Sequence, residues 1–257
     1  MAEPLPDADP SLGLGGRVAL VTGATRGLGL AIARKLCACG CQVILNYAHS
    51  EEDAKEAVHA LSGLRGTAFP IKADVTARDE VARLLGAIRR RYGRLDVFVH
   101  NAASWKPMPA TRPDVAALHR DVASALDPLL FAASAIDGLM GDDGRVIAVS
   151  SDGAHNVIPL YVSLGVAKAA LESLVRYLAV ELGPHGVTVN GVSTSKLDKG
   201  PGTPNPEMIR FLARRTPAGR LTTPEDVAAV VALLSTSEAA WINGQVINVD
   251  GGLGLRS

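Results

Sequence analysis

Hydrophobic residues in this chain fall into two alternating patterns. Short unbroken apolar runs are followed by longer stretches in which apolar positions recur every three or four residues. The runs predict buried strands, and the periodic stretches predict amphipathic helices. RVALVTG, QVILNY, TAFPIKADV, LDVFVHNAA, GRVIAVSS, VTVNGVS and QVINVDGG read as strands. Between the first five of these lie helical patterns in GLGLAIARKLCACG, SEEDAKEAVHALSG, ARDEVARLLGAIRRRYG and a tract from about 114 to 140. YVSLGVAKAALESLVRYLAVELG continues the alternation as a long helix. Gly40, Gly93 and Gly183 stand where helices should close, and Ser50 where one should start.

This rhythm implies right-handed crossovers and an α/β fold of Rossmann type, a doubly wound seven-stranded parallel sheet flanked by helices. Residues 17–257 form one domain on this reading. Residues 1–16, MAEPLPDADPSLGLGG, are rich in Pro, Asp and Gly and read as a disordered lead-in ending near Gly16. STSKLDKGPGTPNP, residues 193–206, interrupts the alternation at a carboxyl strand end. It is expected to be a mobile lid rather than a passive connection.

Composition narrows the function. Lys+Arg and Asp+Glu balance at 26 each, and no basic, aromatic-rich patch is evident, which argues against nucleic acid as a partner. No run approaches the ~20 apolar residues of a membrane span, and the start lacks the features of a signal peptide. A cytoplasmic protein is expected. All three cysteines fall in CACGC, as Cys37, Cys39 and Cys41. With Gly40 ending a helix between them and no His nearby, they read as small buried residues rather than a metal or redox site.

TGATRGLG, residues 22–29, follows the first strand and opens the first helix. Glycines there permit a tight turn and let the backbone approach a pyrophosphate, which a helix N-terminus favours electrostatically. The end of strand two, NYAHS, has no carboxylate before Glu51 to hold a ribose 2′-hydroxyl. Arg26 is placed to meet a 2′-phosphate, so NADPH is the expected cofactor; His49 reads as a bystander.

At this point the chain, from Arg17 to about Gly252, resembles the short-chain dehydrogenase/reductase superfamily. TGATRGLG matches the TGxxxGxG turn, and HNAA stands where NNAG is usual, with Asn101 and Ala102 matching and His100 and Ala103 departing. The resemblance implies cofactor contacts from Gly23, Thr25, Arg26, Gly27, Leu28 and Gly29, from Asn46 and Tyr47, from Asp74 and Val75, and from Asn101, Ala102, Ala103 and Lys168. It implies a catalytic set of Ser151, Tyr161 and Lys168. Two positions depart. The usual tyrosine lies four residues before the lysine, where this chain has Leu164, and Tyr161 lies a turn earlier. The window for the usual helix Asn, DVASAL, contains none, and Ala125 aligns with it.

A Tyr-x6-Lys spacing is similar to that of the NADPH-dependent, single-domain enoyl-[acyl-carrier-protein] reductases. NYAHS, GRLDVFVHNAAS, LGVAKAALESLVRYLAVEL, NGVS and TPAGR resemble them as well. Some of those enzymes have a second Tyr where this chain has Val157. The resemblance implies hydride transfer from NADPH to Cβ of an enoyl thioester carried by acyl-carrier protein or CoA, in fatty-acid or polyketide-type metabolism. It also implies a homo-oligomer, a tetramer by preference.

Geometry supplies an independent reason for the spacing. In enoyl reduction, negative charge develops on an oxygen whose carbon lies two bonds, roughly 2.5 Å, beyond the carbon receiving hydride. Moving the tyrosine three residues toward the helix start shifts it about 4.5 Å along the axis. Seven residues at about 100° make about 700°, so Tyr161 and Lys168 still share a face. Tyr161 is then the donor to the enolate oxygen, and Lys168 lowers its pKa. A carbonyl reductase and a non-catalytic dinucleotide sensor are the rival readings. Arg210, Arg214, Arg215 and Arg220 are candidates to meet an acidic carrier.

Overall fold

The structure, a computed structural model, describes residues 11–200, 203 and 205–255. Its elements run β1 (Val18–Val21), α1 (Gly27–Ala38), β2 (Gln42–Tyr47), α2 (Glu51–Leu61), β3 (Thr67–Lys72), α3 (Arg78–Tyr92), β4 (Val97–His100) and α4 (Val115–Asp137). They continue with β5 (Arg145–Val149), α5 (Val162–Leu182), β6 (Thr188–Ser193), α6 (Pro206–Arg215), α7 (Pro224–Leu234) and β7 (Val246–Asn248). All pairings are parallel, and the order is β3-β2-β1-β4-β5-β6-β7. The seven-stranded Rossmann-type sheet read from the apolar runs is the one observed.

The central strands are buried on both faces, which is why they read as unbroken apolar runs. One core lies where Ile32 and Leu36 of α1 meet Val227 and Val231 of α7; the other joins Ile88, Leu129, Leu171 and Val175 of α3, α4 and α5. β3 is the partly exposed edge, and it tolerates Pro70 in register with Leu45. The strand order grows one way from β1 to β3 and the other way from β4 to β7, so the connections leaving the carboxyl ends of β1 and β4 part and open a crevice there.

Gly40 (φ +91°) and Gly93 (φ +72°) take the left-handed conformation at their helix ends, and Ser50 Oγ caps α2 by accepting from the Asp53 amide at 3.0 Å. Gly183 is the C-cap of α5, as expected, although its backbone stays right-handed (φ −55°). Pro184 fits the start of a short 3-10 turn over Gly183–His185, and the left-handed residue is Gly186.

The lead-in boundary also moves. Residues 1–10 lie outside the described residues, but 11–16 pack: Leu14 is fully buried in the first core, and its carbonyl accepts from Cys41 Sγ. Cys37, Cys39 and Cys41 are all buried, and burial pushes Cys37 and Cys41 up to about 12. No described helix is long and apolar enough to cross a membrane.

The 193–206 insertion is partly tied down. Leu197 bridges to Thr222, the Asp198 amide donates to the Thr222 carbonyl at 2.9 Å, and Thr194 Oγ1 donates to the Val249 carbonyl at 3.1 Å. Helices α6 and α7 follow it, and neither was anticipated.

Candidate active site

The glycine turn at the end of β1 has a steric logic. Gly23 takes φ +61°, and a Cβ on Gly29 would stand 2.1 Å from the Gly23 carbonyl oxygen and 2.7 Å from Asn101 Nδ2. Asn101 is why the space is full: Nδ2 donates to the carbonyls of Thr22 (3.0 Å) and Gly23 (3.2 Å), locking β4 to the turn. Thr22 Oγ1 accepts the amides of Asn101 and Ala102, both at 3.0 Å. Ala103 follows at the mouth. Arg26 is the N-cap residue of α1, and its side chain makes no capping bond. The first-turn amides of α1 thus face outward uncapped, the setting an anionic phosphate needs. Thr25 and Leu28 flank them half-buried, whereas Arg26 and Gly27 are exposed.

Asn46 is buried, and its Nδ2 donates to the Ala73 carbonyl at 2.9 Å, so its amide joins β2 to β3. Its own carbonyl accepts from Ala24, which holds the glycine turn against β2. Tyr47 is half-buried, Val75 is buried, and exposed Asp74 has Oδ1 engaged by the amide and hydroxyl of Thr76. The residues lining this edge fit a dinucleotide: a turn that only glycine can make, uncapped helix amides and no free carboxylate at the tip of β2.

Two of the catalytic candidates, Ser151 and Tyr161, meet near the carboxyl end of β5. Tyr161 is the N-cap of α5 (φ −102°, ψ 10°), just outside the first helical turn. Its Oη stands 3.3 Å from Ser151 Oγ, which follows β5. Gly153 makes room for the ring, since a Cβ there would lie 2.6 Å from Tyr161 Cε1. Leu160, just before it, adopts φ +62°, and its carbonyl accepts from the Met108 amide at 3.0 Å. Trp105 packs on the other side, ring centroids 5.1 Å apart and tilted by 55°.

Lys168 is fully buried and donates to the Val149 carbonyl at 2.6 Å. Burial pushes its ammonium down to about 8, against the attraction of Glu172. The expected lowering of the Tyr161 pKa is not found. Burial raises it, the Ser151 hydroxyl opposes, and the Asp152 carboxylate adds to the rise. Tyr161 is thus a neutral phenol at neutral pH, able to donate.

The two departures from the family pattern meet in the interior. Leu164 packs with Ala125 and Ala167 in a small buried cluster against which Tyr161 and Val122 lean. His100 explains the altered HNAA. Its Nε2 lies 2.9 Å from the Ala125 carbonyl and its Nδ1 3.2 Å from Thr22 Oγ1. A carbonyl only accepts, so Nε2 carries the proton and Thr22 donates to Nδ1. Burial, aided by Lys168, holds this imidazole down to about 3, so it is a neutral strut between β1, β4 and α4.

Sequence reading missed three features. Asp121, buried, accepts from Ser104 Oγ at 3.0 Å and from the Lys106 amide at 3.1 Å. Glu172, also buried, accepts from Ser150 Oγ at 2.5 Å and pairs with His155 Nε2 at 2.6 Å. Trp105 lies beside Tyr161 although 56 residues separate them in the chain. For Asp121 and Glu172 the signal was a carboxylate on the apolar face of a predicted helix. For Trp105 it was one of only two tryptophans, following directly on HNAAS.

An enzyme with a phosphate-ready turn at the switch point of its sheet, and a Ser, Tyr and Lys set nearby, is a nicotinamide-dinucleotide oxidoreductase. The chain belongs to the short-chain dehydrogenase/reductase superfamily, and the family model described as Enoyl-(Acyl carrier protein) reductase matches residues 23–254. It is 36% identical over 249 residues to a 1-cyclohexenylcarbonyl-CoA reductase of Streptomyces collinus, covering 93% of this chain and 87% of that one. It is 34% identical over 258 residues to the hydroxynaphthalene reductase-like protein Arp2 of Metarhizium brunneum, covering 93% and 95%. Among solved structures, a dehydrogenase/reductase of Sinorhizobium meliloti 1021 superposes with a TM-score of 0.89 at 30% identity, covering 97% of this chain and 99% of that one.

Proposed function

We propose that this reductase uses NADPH to reduce the C=C of an enoyl thioester. The observation that carries the reading is the position of its phenol. The family's usual tyrosine site is Leu164, buried against Ala125, whereas Tyr161 stands one turn earlier at the helix mouth with Oη 3.3 Å from Ser151 Oγ. Three residues are worth about 4.5 Å of helix axis, which suits an acceptor oxygen displaced from the carbon being reduced.

Bound at the glycine turn, the dinucleotide supplies the hydride. Gly23, Thr25, Gly27, Leu28 and Gly29 present the backbone to its phosphates. Arg26 reads a 2′-phosphate: its guanidinium is exposed, and no carboxylate of NYAHS opposes it. Asp74, Val75, Asn46 and Tyr47 border the adenosine end, and Asn101, Ala102 and Ala103 the centre. Lys168 is the cation of the nicotinamide end. Tyr161, protonated at neutral pH, donates to the thioester oxygen as charge develops there, with Ser151 as second donor.

The S. collinus relative, whose name specifies a CoA thioester of a conjugated acid, supports the enoyl reading and makes CoA thioesters the carriers of choice for assay. The M. brunneum relative and the Ser151–Tyr161 contact favour the second reading, reduction of a ketone. Exposed apolar residues support a homotetramer. Val166, Tyr177 and Val180 fall within one exposed face of α5, Leu130 is exposed on the neighbouring α4, and Leu233, Trp241, Ile242 and Leu255 are exposed toward the C-terminus.

The purified protein, NADPH and a 2-enoyl-CoA should yield the saturated acyl-CoA by mass spectrometry. NADPH oxidation on ketones with none on any enoyl thioester would establish the second reading instead.

A further inference from the structure

Trp105 stands in the β4–α4 connection against the ring of Tyr161, yet it remains 47% exposed. Its neighbours on both sides are held down. Asp121, only 4% exposed, takes Ser104 Oγ with one oxygen and the Lys106 amide with the other. The Ser104 amide donates to Ser124 Oγ at 3.2 Å, and Ser163 Oγ donates to the Lys106 carbonyl at 3.4 Å. A buried carboxylate that grips both flanks of one half-exposed indole fixes the backbone that carries it. The result is a positioned indole, packed at a tilt on the proposed proton donor and still about half open.

We propose that Trp105 is a specificity-determining platform that seats a ring carried on the substrate's double bond, so that cyclic enoyl thioesters are preferred over straight-chain ones. The proposal rests on the enoyl-thioester reading. Tyr161 must reach the thioester oxygen, and Trp105 packs on Tyr161, so the atoms next to that oxygen are the ones that come beside the indole. On one side of the carbonyl these are the thioester sulfur and its carrier, and on the other the double bond and its substituents, which are the part a platform beside Tyr161 can sort. A rigid ring covers a flat indole and loses little conformational freedom on doing so. A flexible chain covers less of it and must be ordered in the process.

The test compares cyclohex-1-ene-1-carbonyl-CoA with trans-2-hexenoyl-CoA in the wild type and in Trp105→Ala. The kcat/KM ratio, cyclic over linear, should exceed one in the wild type and fall about tenfold in the variant. Trp105→Phe should keep most of the preference. A ratio below one in the wild type, or one unchanged in Trp105→Ala, overturns the proposal.

A binding arm separates this from failure of the reaction reading. In Trp241→Phe, Trp105 is the sole tryptophan. With NADP⁺ present, cyclohexanecarbonyl-CoA should change its fluorescence at concentrations several-fold lower than hexanoyl-CoA. If no enoyl thioester is reduced but this difference holds, the platform stands and the assigned reaction falls. If the two ligands titrate alike, the platform falls whatever the activity.

Discussion

Leu164 and Ala125 pack against each other at the two positions where the family pattern leads one to look for a tyrosine and an asparagine. The pair is an apolar plug, with Tyr161 resting on it. It ties the displaced phenol to the missing amide, because apolar side chains fill both positions. Tyr161→Phe should therefore lower kcat on an enoyl thioester by about 10²–10³ with little change in NADPH affinity. Adding Leu164→Tyr should not restore enoyl reduction. Near-full activity of Tyr161→Phe in steady-state assays would remove the phenol from the mechanism.

Arg26 is exposed at the N-cap of α1, without a carboxylate from the tip of β2 to engage it. A charge-assisted bond to the 2′-phosphate implies a preference for NADPH over NADH of about one to two orders of magnitude. Arg26→Ala should raise the KM for NADPH and leave that for NADH nearly unchanged. Parallel rises for both cofactors would show that the residue does not read the phosphate.

Burial pushes Lys168 down to about 8, whereas that of Tyr161 keeps its phenol protonated beyond the ordinary range. A lysine needed as a cation is lost as pH rises through its own pKa. The kcat/KM for NADPH, which reports the free enzyme, should decline above about pH 8. A flat profile to pH 10 would show that the charge of Lys168 is not used.

His100 is held neutral, its value lowered to about 3 from an ordinary 6.5. The unfolded chain then binds a proton that the folded one refuses between those limits, so stability falls as pH drops through that window. His100→Asn removes this group. Urea midpoints measured at pH 7.5 and pH 5 should differ less in the variant than in the wild type. An equal or larger difference would mean that His100 is charged in the fold.

The exposed apolar residues of α5, Val166, Tyr177 and Val180, and those toward the C-terminus, Leu233, Trp241, Ile242 and Leu255, should be covered in a tetramer. Light scattering at micromolar concentration should give about four times the chain mass. A monomer at that concentration removes the assembly.

The sheet was legible because the central strands are buried on both faces and so carry no polar alternation. Helix α7 was missed although Thr223 and Asp226 form a full capping box there, since an almost wholly apolar PEDVAAVVALL shows little helical contrast. Helix α6 carries an apolar stripe through Met208, Ile209 and Leu212, but it buries no residue fully and follows directly on the Gly/Pro-rich insertion, which hid it. The glycine turn could be placed from spacing, because it joins one strand to the next helix, whereas Ser151 and Tyr161, after β5 and at the start of α5, were paired through the family resemblance. His100, Asp121 and Trp105 could not be placed, because their partners lie 25, 17 and 56 positions away. That Lys168 fails to depress Tyr161 also depends on burial, which no motif records.

The three cysteines buried around Leu14 and Gly40 have a practical consequence. Thiolates are the form that alkylating reagents attack, and burial withholds it from Cys37 and Cys41 while the fold is closed. Slow labelling of the native protein would then time the opening of the segment that joins α1 to β2, with no dye or tag engineered in. A single cysteine introduced on the surface could be modified selectively against that silent background.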